Sequence, residues 1–131
     1  MSKKVYTYPY SQDYHPPMPV VEIGLSVPKR SQAEKLLIAL IDSGSDGTLV
    51  PIDILEEVGA RYVGDARIRG ILGDSQSVDI YLASLRLGSH SVHAVRVVGA
   101  PEDTEVILGR NVLNHLVITL DGLASVTEIP A

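Results

Sequence analysis

Asp42-Ser43-Gly44 ends an apolar run, Leu36 to Ile41, and leads into Ser45, Asp46, Gly47 and Thr48. A carboxylate carried out of an apolar segment into a turn of small residues admits three readings. The first is a plain turn, because Asp and Ser bond local backbone and Gly accepts positive φ. The second is a calcium loop. Asp42, Asp46 and Gly47 fall on positions 1, 5 and 6 of an EF-hand and Asp53 on position 12, with a capping-box pattern at Ser31 and Glu34 ahead of it. Against it, Gly44 at position 3 offers no side-chain oxygen, and Asp53 is shorter than the usual bidentate Glu. Pro51 falls inside the loop, the preceding run is apolar on every face, and no second loop of the kind exists. The third is a catalytic aspartate, a carboxylate fixed by a rigid strand and able to take a proton from water.

The segments around it read as a mostly β chain. Val20 to Val27 is β-rich, Pro28 to Glu34 is polar and turn-like, and Lys35 to Ile41 is apolar without a helical period. Thr48 to Val50 is a short strand. Pro51 at the first helical position and Gly59 just past the end bracket a helix of one or two turns. From Arg61 onward strand follows strand. Val78, Ile80 and Leu82 alternate with Asp79, Tyr81 and Ala83, and the phase shift to Leu85 and Leu87 predicts a bulge or a bend. Gly88-Ser89 turns the chain into His90 to Val98 as a hairpin partner. Val106 to Leu108 is a strand and Arg110 to His115 a brief helix. Leu116 to Leu120 and Leu123 to Ile129 are strands around Asp121-Gly122.

In that setting two motifs occur in order. The run ending in Asp42-Ser43-Gly44-Ser45, with Thr48 four residues beyond Gly44, resembles the active-site loop of aspartic proteases. "EVILGRNVLNHLVITLDG" (Glu105 to Gly122) resembles the second signature of the retropepsin-like, or retroviral-type, branch: aliphatics, then Gly-Arg-Asn, then a hydrophobic helical turn. "RGILGDSQSV" lies between them, where that family carries its flap hairpin. The resemblance covers roughly residues 20 to 122. It implies a single-lobe acid-protease β-barrel with a flap hairpin and one or two short helices. It also implies an aspartic endopeptidase in which two facing carboxylates share a proton and activate water. This chain holds one Asp-Ser-Gly; Asp74-Ser75-Gln76 and Asp121-Gly122-Leu123 lack the pattern. The resemblance therefore implies a two-fold homodimer, with Asp42 and its mate at the axis.

The same resemblance assigns roles. Asp42, Ser43 and Gly44 form the catalytic triplet, Ser43 cross-linking the two loops and Gly44 letting substrate backbone approach. Asp46 and Gly47 bind substrate, Asp46 also pairing with Arg110. Thr48 hydrogen-bonds beneath the loop, and Arg110 and Asn111 support it. Gly70, Ile71, Leu72 and Gly73 make the flap tip, and Leu49, Val106 and Ile107 line subsites that favour hydrophobic side chains. An alternative is a catalytically silent module of the same fold that binds extended peptide by strand addition.

Composition narrows the field further. With 131 residues the chain is one domain's worth, read as an arm or tail over 1–19 and a protease domain over 20–131. The arm is rich in Tyr and Pro, and its readings are a disordered end or an arm packed on a partner subunit. Phe and Trp are absent, so the core must be built from Val, Ile and Leu. The net charge is −5 and the basic residues form only short pairs, which argues against nucleic acid. No apolar run is long enough to span a membrane, and no signal-peptide h-region is evident. The absence of cysteine excludes disulfides and thiolate metal sites. It fits a soluble protein of the reducing cytoplasm. The four histidines show no metal spacing, since His90 and His93 fall on opposite faces of a strand. No metal and no cofactor is expected. The expected partners are a second copy and a peptide or protein substrate.

Overall fold

The computed structural model describes residues 4–28, 34–69 and 72–131. Strands β1 (Val5–Pro9), β2 (Val20–Ser26), β3 (Lys35–Ile41) and β4 (Thr48–Pro51) lead into helix α1 (Ile52–Val58). Strands β5 (Arg61–Arg69), β6 (Ser75–Leu87), β7 (His90–Ala100) and β8 (Val106–Leu108) precede helix α2 (Arg110–Leu113), and β9 (Thr119–Asp121) and β10 (Val126–Pro130) follow. Seven strands form one sheet in the order β2-β3-β8-β4-β7-β6-β5. A further pairing of β2 with β6 closes six of them into a barrel, leaving β5 outside as the partner of β6. Among the described residues the chain is mostly β with two short helices, the class that its alternating pattern predicts.

The barrel closes on aliphatic side chains. Val21, Ile23, Leu25, Val50, Leu85, Leu87, Val97, Leu108 and Val112 are fully buried. Each such burial is worth about 1.5–3 kcal/mol, which offsets the entropy of ordering a chain without large aromatics in its centre. Helix α1 seats Leu55 and Val58 against this core and ends at Gly59, whose φ of 77° is the left-handed cap that glycine adopts without strain.

Strand β5 and the first half of β6 form the flap hairpin. They pair from Arg61↔Leu82 out to Arg69↔Ser75. Of the four residues expected at its tip, Leu72 is 89% exposed and Gly73 has φ 86°. Gly70 and Ile71 lie outside the described residues, as do Ser31 of the capping-box pattern and most of the turn between β2 and β3.

Three features differ from the sequence reading. The expected arm carries strand β1, which pairs antiparallel with β10 in a separate sheet of order β1-β10-β9. Its Tyr6 and Tyr8 pack against the core, so tyrosines replace the missing aromatics from outside the barrel. The bulge between β6 and β7 adds its extra residue to β7: Ala83 faces Val95 and Leu85 faces Val92, with Ala94 at φ 54°. The last hairpin turns over Gly122 to Ser125 rather than tightly at Asp121-Gly122, with the Ala124 N–H donating to Asp121 Oδ1 at 3.0 Å. Among the described residues no helix is long and apolar enough to cross a membrane.

Candidate active site

Asp42 is the first residue beyond β3, and its N–H continues the ladder by donating to the Leu108 carbonyl at 3.1 Å. Strands β3 and β8 run parallel there, with Leu40 beside Ile107 and Ile41 beside Leu108. The carboxylate is thus delivered by the rigid barrel and not by a free loop. It is exposed, and its Oδ1 accepts the Gly44 N–H at 3.0 Å. The Ser45 N–H donates back to the Asp42 carbonyl at 3.1 Å, and Ser45 Oγ donates to the Gly47 carbonyl at 2.7 Å. These bonds satisfy a turn that Asp, Ser and Gly would favour in any case. The turn reading describes its backbone, and the catalytic reading concerns the carboxylate it presents.

The second motif braces this turn from the side. The Arg110 N–H donates to the Ser45 carbonyl at 2.8 Å, and Arg110 Nη1 donates to the Ser43 carbonyl at 2.7 Å. The expected Arg110–Asp46 ion pair is not formed. Among the described residues no ion pair involves either side chain, and Asp46 is exposed. The guanidinium instead satisfies a turn carbonyl that the strand ladder does not reach. Thr48 is fully buried; its Oγ1 accepts the Gly109 N–H at 3.1 Å and donates to Asn111 Oδ1 at 2.8 Å. Asn111 Nδ2 in turn donates to the Arg96 carbonyl at 3.0 Å, which ties the brace to β7. Gly109 lies against Gly47: a Cβ built there would sit 2.1 Å from the Gly47 oxygen. The glycine of Gly-Arg-Asn is thus required by close packing of backbone on backbone.

The residues expected around the cleft divide between two faces of the strands. Leu49 pairs with Ile107, and Ile107 lies beside Leu40, all three half-buried. Val106 pairs with Ala39 and packs into the barrel core. Gly47 is half-buried near Val98. Sequence reading missed the parts played by backbone: the carbonyls of Leu108, Ser45 and Arg96 hold the site, and no side-chain signal marks them. It also missed Tyr14, whose hydroxyl donates to the Glu105 carboxylate at the entry to β8. Among the described residues no group of three or more His, Cys, Asp or Glu is placed to hold a metal ion.

Comparison with protein families matches residues 33–115 to the "gag-polyprotein putative aspartyl protease" family. The chain belongs to the retropepsin-like aspartic proteases. Several solved structures share this fold, three of them as follows. The retropepsin-like aspartic protease from Rickettsia conorii aligns over 99% of this chain and 94% of its own, with a TM-score of 0.62 at 10% identity. The EIAV protease bound to the inhibitor HBY-793 aligns over 82% and 93%, with a TM-score of 0.59 at 16% identity. The simian foamy virus (mac) protease aligns over 72% and 91%, with a TM-score of 0.51 at 24% identity. At these identities the likeness is one of fold. Comparison with curated protein sequences gives no match.

Proposed function

We propose that this retropepsin-like chain is an active aspartic endopeptidase that works as a homodimer. The observation that carries the reading is the exposed Asp42 carboxylate, set on the barrel by the Leu108 carbonyl and aimed by the Gly44 N–H, in a chain with a single Asp-Ser-Gly. One carboxylate cannot act as acid and base in the same step, so a second copy supplies the other across a two-fold axis. Like charges that close cannot both ionise, so the pair holds one proton between them. The ionised Asp42 takes a proton from water as the water oxygen bonds to the scissile carbonyl carbon. Its protonated mate donates to the carbonyl oxygen. The resulting diol collapses: Asp42 passes the proton it took from water to the amine nitrogen as the C–N bond breaks, and the ionised mate takes back a hydroxyl proton as the C=O bond re-forms.

In this reading Ser43 joins the two loops through its hydroxyl, while Gly44 and Gly47 leave room for substrate backbone. Asp46, left free by Arg110, bonds the substrate backbone. The flap around Leu72 and Gly73 excludes water as it closes, and Leu49 and Ile107 form the apolar floor. The compartment proposed is the cytoplasm.

The deciding experiment is digestion of casein between pH 3.5 and 7 by wild type and by Asp42→Asn, with and without pepstatin. The expected result is cleavage by wild type alone, blocked by pepstatin, with a rate per chain that falls on dilution. A folded, dimeric wild type that cuts nothing, including a peptide library, would favour the silent peptide-binding module instead.

A further inference from the structure

A cavity of about 430 Å³ opens beside the catalytic strand, lined by Val20, Ile38, Leu40 and Val106 with Asp13 and Glu105. Leu40 precedes Asp42 by two residues, so strand alternation gives both side chains the same face, about 7 Å apart along the chain. A peptide whose scissile carbonyl sits at Asp42 therefore brings a neighbouring side chain within reach of the cavity. The aliphatics there are poorly covered; Ile38 remains 59% exposed. Both carboxylates stand on exposed residues, and no Lys, Arg or His is among the lining residues described. Tyr14, on the loop between β1 and β2, donates its hydroxyl to Glu105 and so fixes that carboxylate over the cavity. The hydrogen bond to Glu105 raises the hydroxyl's pKa above its ordinary value, as an anionic acceptor does.

We infer that this cavity is a specificity pocket for a lysine or arginine side chain beside the scissile bond, with Glu105 and Asp13 as the residues that select it. The inference rests on the protease reading and names its substrate class. An aliphatic floor with carboxylates at the rim matches a side chain whose methylene stem is apolar and whose head is cationic. Arginine can engage a carboxylate with two parallel bonds, whereas an acidic side chain is repelled by the same pair. This differs from the all-apolar subsites expected from sequence. The difference arises from Glu105, which opens the second motif, and from Asp13 and Tyr14, which the β1–β2 loop brings across.

The test is a positional peptide library digested by wild type, Glu105→Gln, Asp13→Asn and Glu105→Lys, with products read by mass spectrometry. Wild type should favour Lys or Arg over norleucine at one position flanking the cut by about tenfold. Each neutral variant should lose about fivefold of that preference, the upper end for an exposed charge pair. Glu105→Lys should turn the preference toward Glu, a readout that a merely structural role would not produce. Cleavage that favours apolar residues, or a Lys preference unchanged in Glu105→Gln, overturns the pocket and leaves the protease standing. If wild type cuts nothing, the protease reading is what fails. Fluorescence anisotropy of lysine-bearing and norleucine-bearing peptides on Asp42→Asn protein then decides the pocket. Equal binding overturns it, and tighter lysine binding that Glu105→Gln abolishes supports it.

Discussion

Gly109 shows how tightly the two motifs are joined. Because its missing Cβ leaves room for the Gly47 carbonyl, Gly109→Ala must push the turn after Asp42 away from β8. Backbone cannot yield as a flexible side chain can, so the expected cost is about 3 kcal/mol, read as a lower urea midpoint. Activity should fall further than stability does, since the Asp42 carboxylate moves with the turn. Thr48 makes the complementary case. Thr48→Val keeps the volume but leaves the Gly109 N–H and Asn111 Oδ1 without their partner in a buried place. That should cost about 2 kcal/mol. Thr48→Ser keeps the hydroxyl and should cost about 1 kcal/mol, the loss of one buried methyl. Equal losses in the two variants would show that the hydroxyl is idle.

Among the elements, β2, β3 and β6 are held together outside the core by Glu34 and Arg86. The guanidinium donates to both carboxylate oxygens and to the Gly88 carbonyl, and the carboxylate lies over Gly24. The hydrogen bonds from Arg86 lower the pKa of Glu34 from its ordinary value of 4.5. A carboxylate depressed in the fold stabilises at pH above its unfolded value, and the contribution disappears as pH falls through the folded value. Arg86→Gln should therefore lower stability near neutral pH by about 1 kcal/mol, since the pair is partly solvated. The gap between variant and wild type should close below about pH 4.5. Urea unfolding across pH 3 to 7 measures both, and a gap independent of pH would assign the loss to packing.

The elements also show what a sequence displays and what it hides. Strands β2, β3, β4, β8 and helix α1 were readable because aliphatic runs and the Pro51 and Gly59 brackets announce them locally. The irregularity near Leu85 was readable from its phase shift, but its place on β7 was not, because Ala94 gives no sign of a positive φ. Strand β1 was hidden for a different reason: Val5–Pro9 becomes a strand only by pairing with β10 at the far end of the chain. In the site, residue types were legible and connections were not. Asp42, Thr48, Gly109 and Arg110 could be named from their motifs, but a partner such as the Ser43 carbonyl has no side chain to declare it.

At the scale of the whole molecule, the decisive question is whether one chain suffices. If catalysis needs Asp42 from both protomers, a dimer of one wild-type chain and one Asp42→Asn chain has no shared-proton pair and is dead. Asp42 is exposed and the substitution keeps its shape, so the variant should fold and exchange as wild type does. Mix the two at fixed total concentration, well above the dimer's dissociation constant, and let them equilibrate. Activity should then follow the square of the wild-type fraction. An equal mixture should retain about a quarter of the rate of undiluted wild type, because only that share of dimers carries two carboxylates. Retention of about half would mean that each chain acts independently, and about three quarters that one carboxylate per dimer is enough. Either of these two values would refute the dyad even in a protein that cleaves peptides. The quadratic fall ties the single Asp-Ser-Gly of the sequence to the symmetry of the working enzyme.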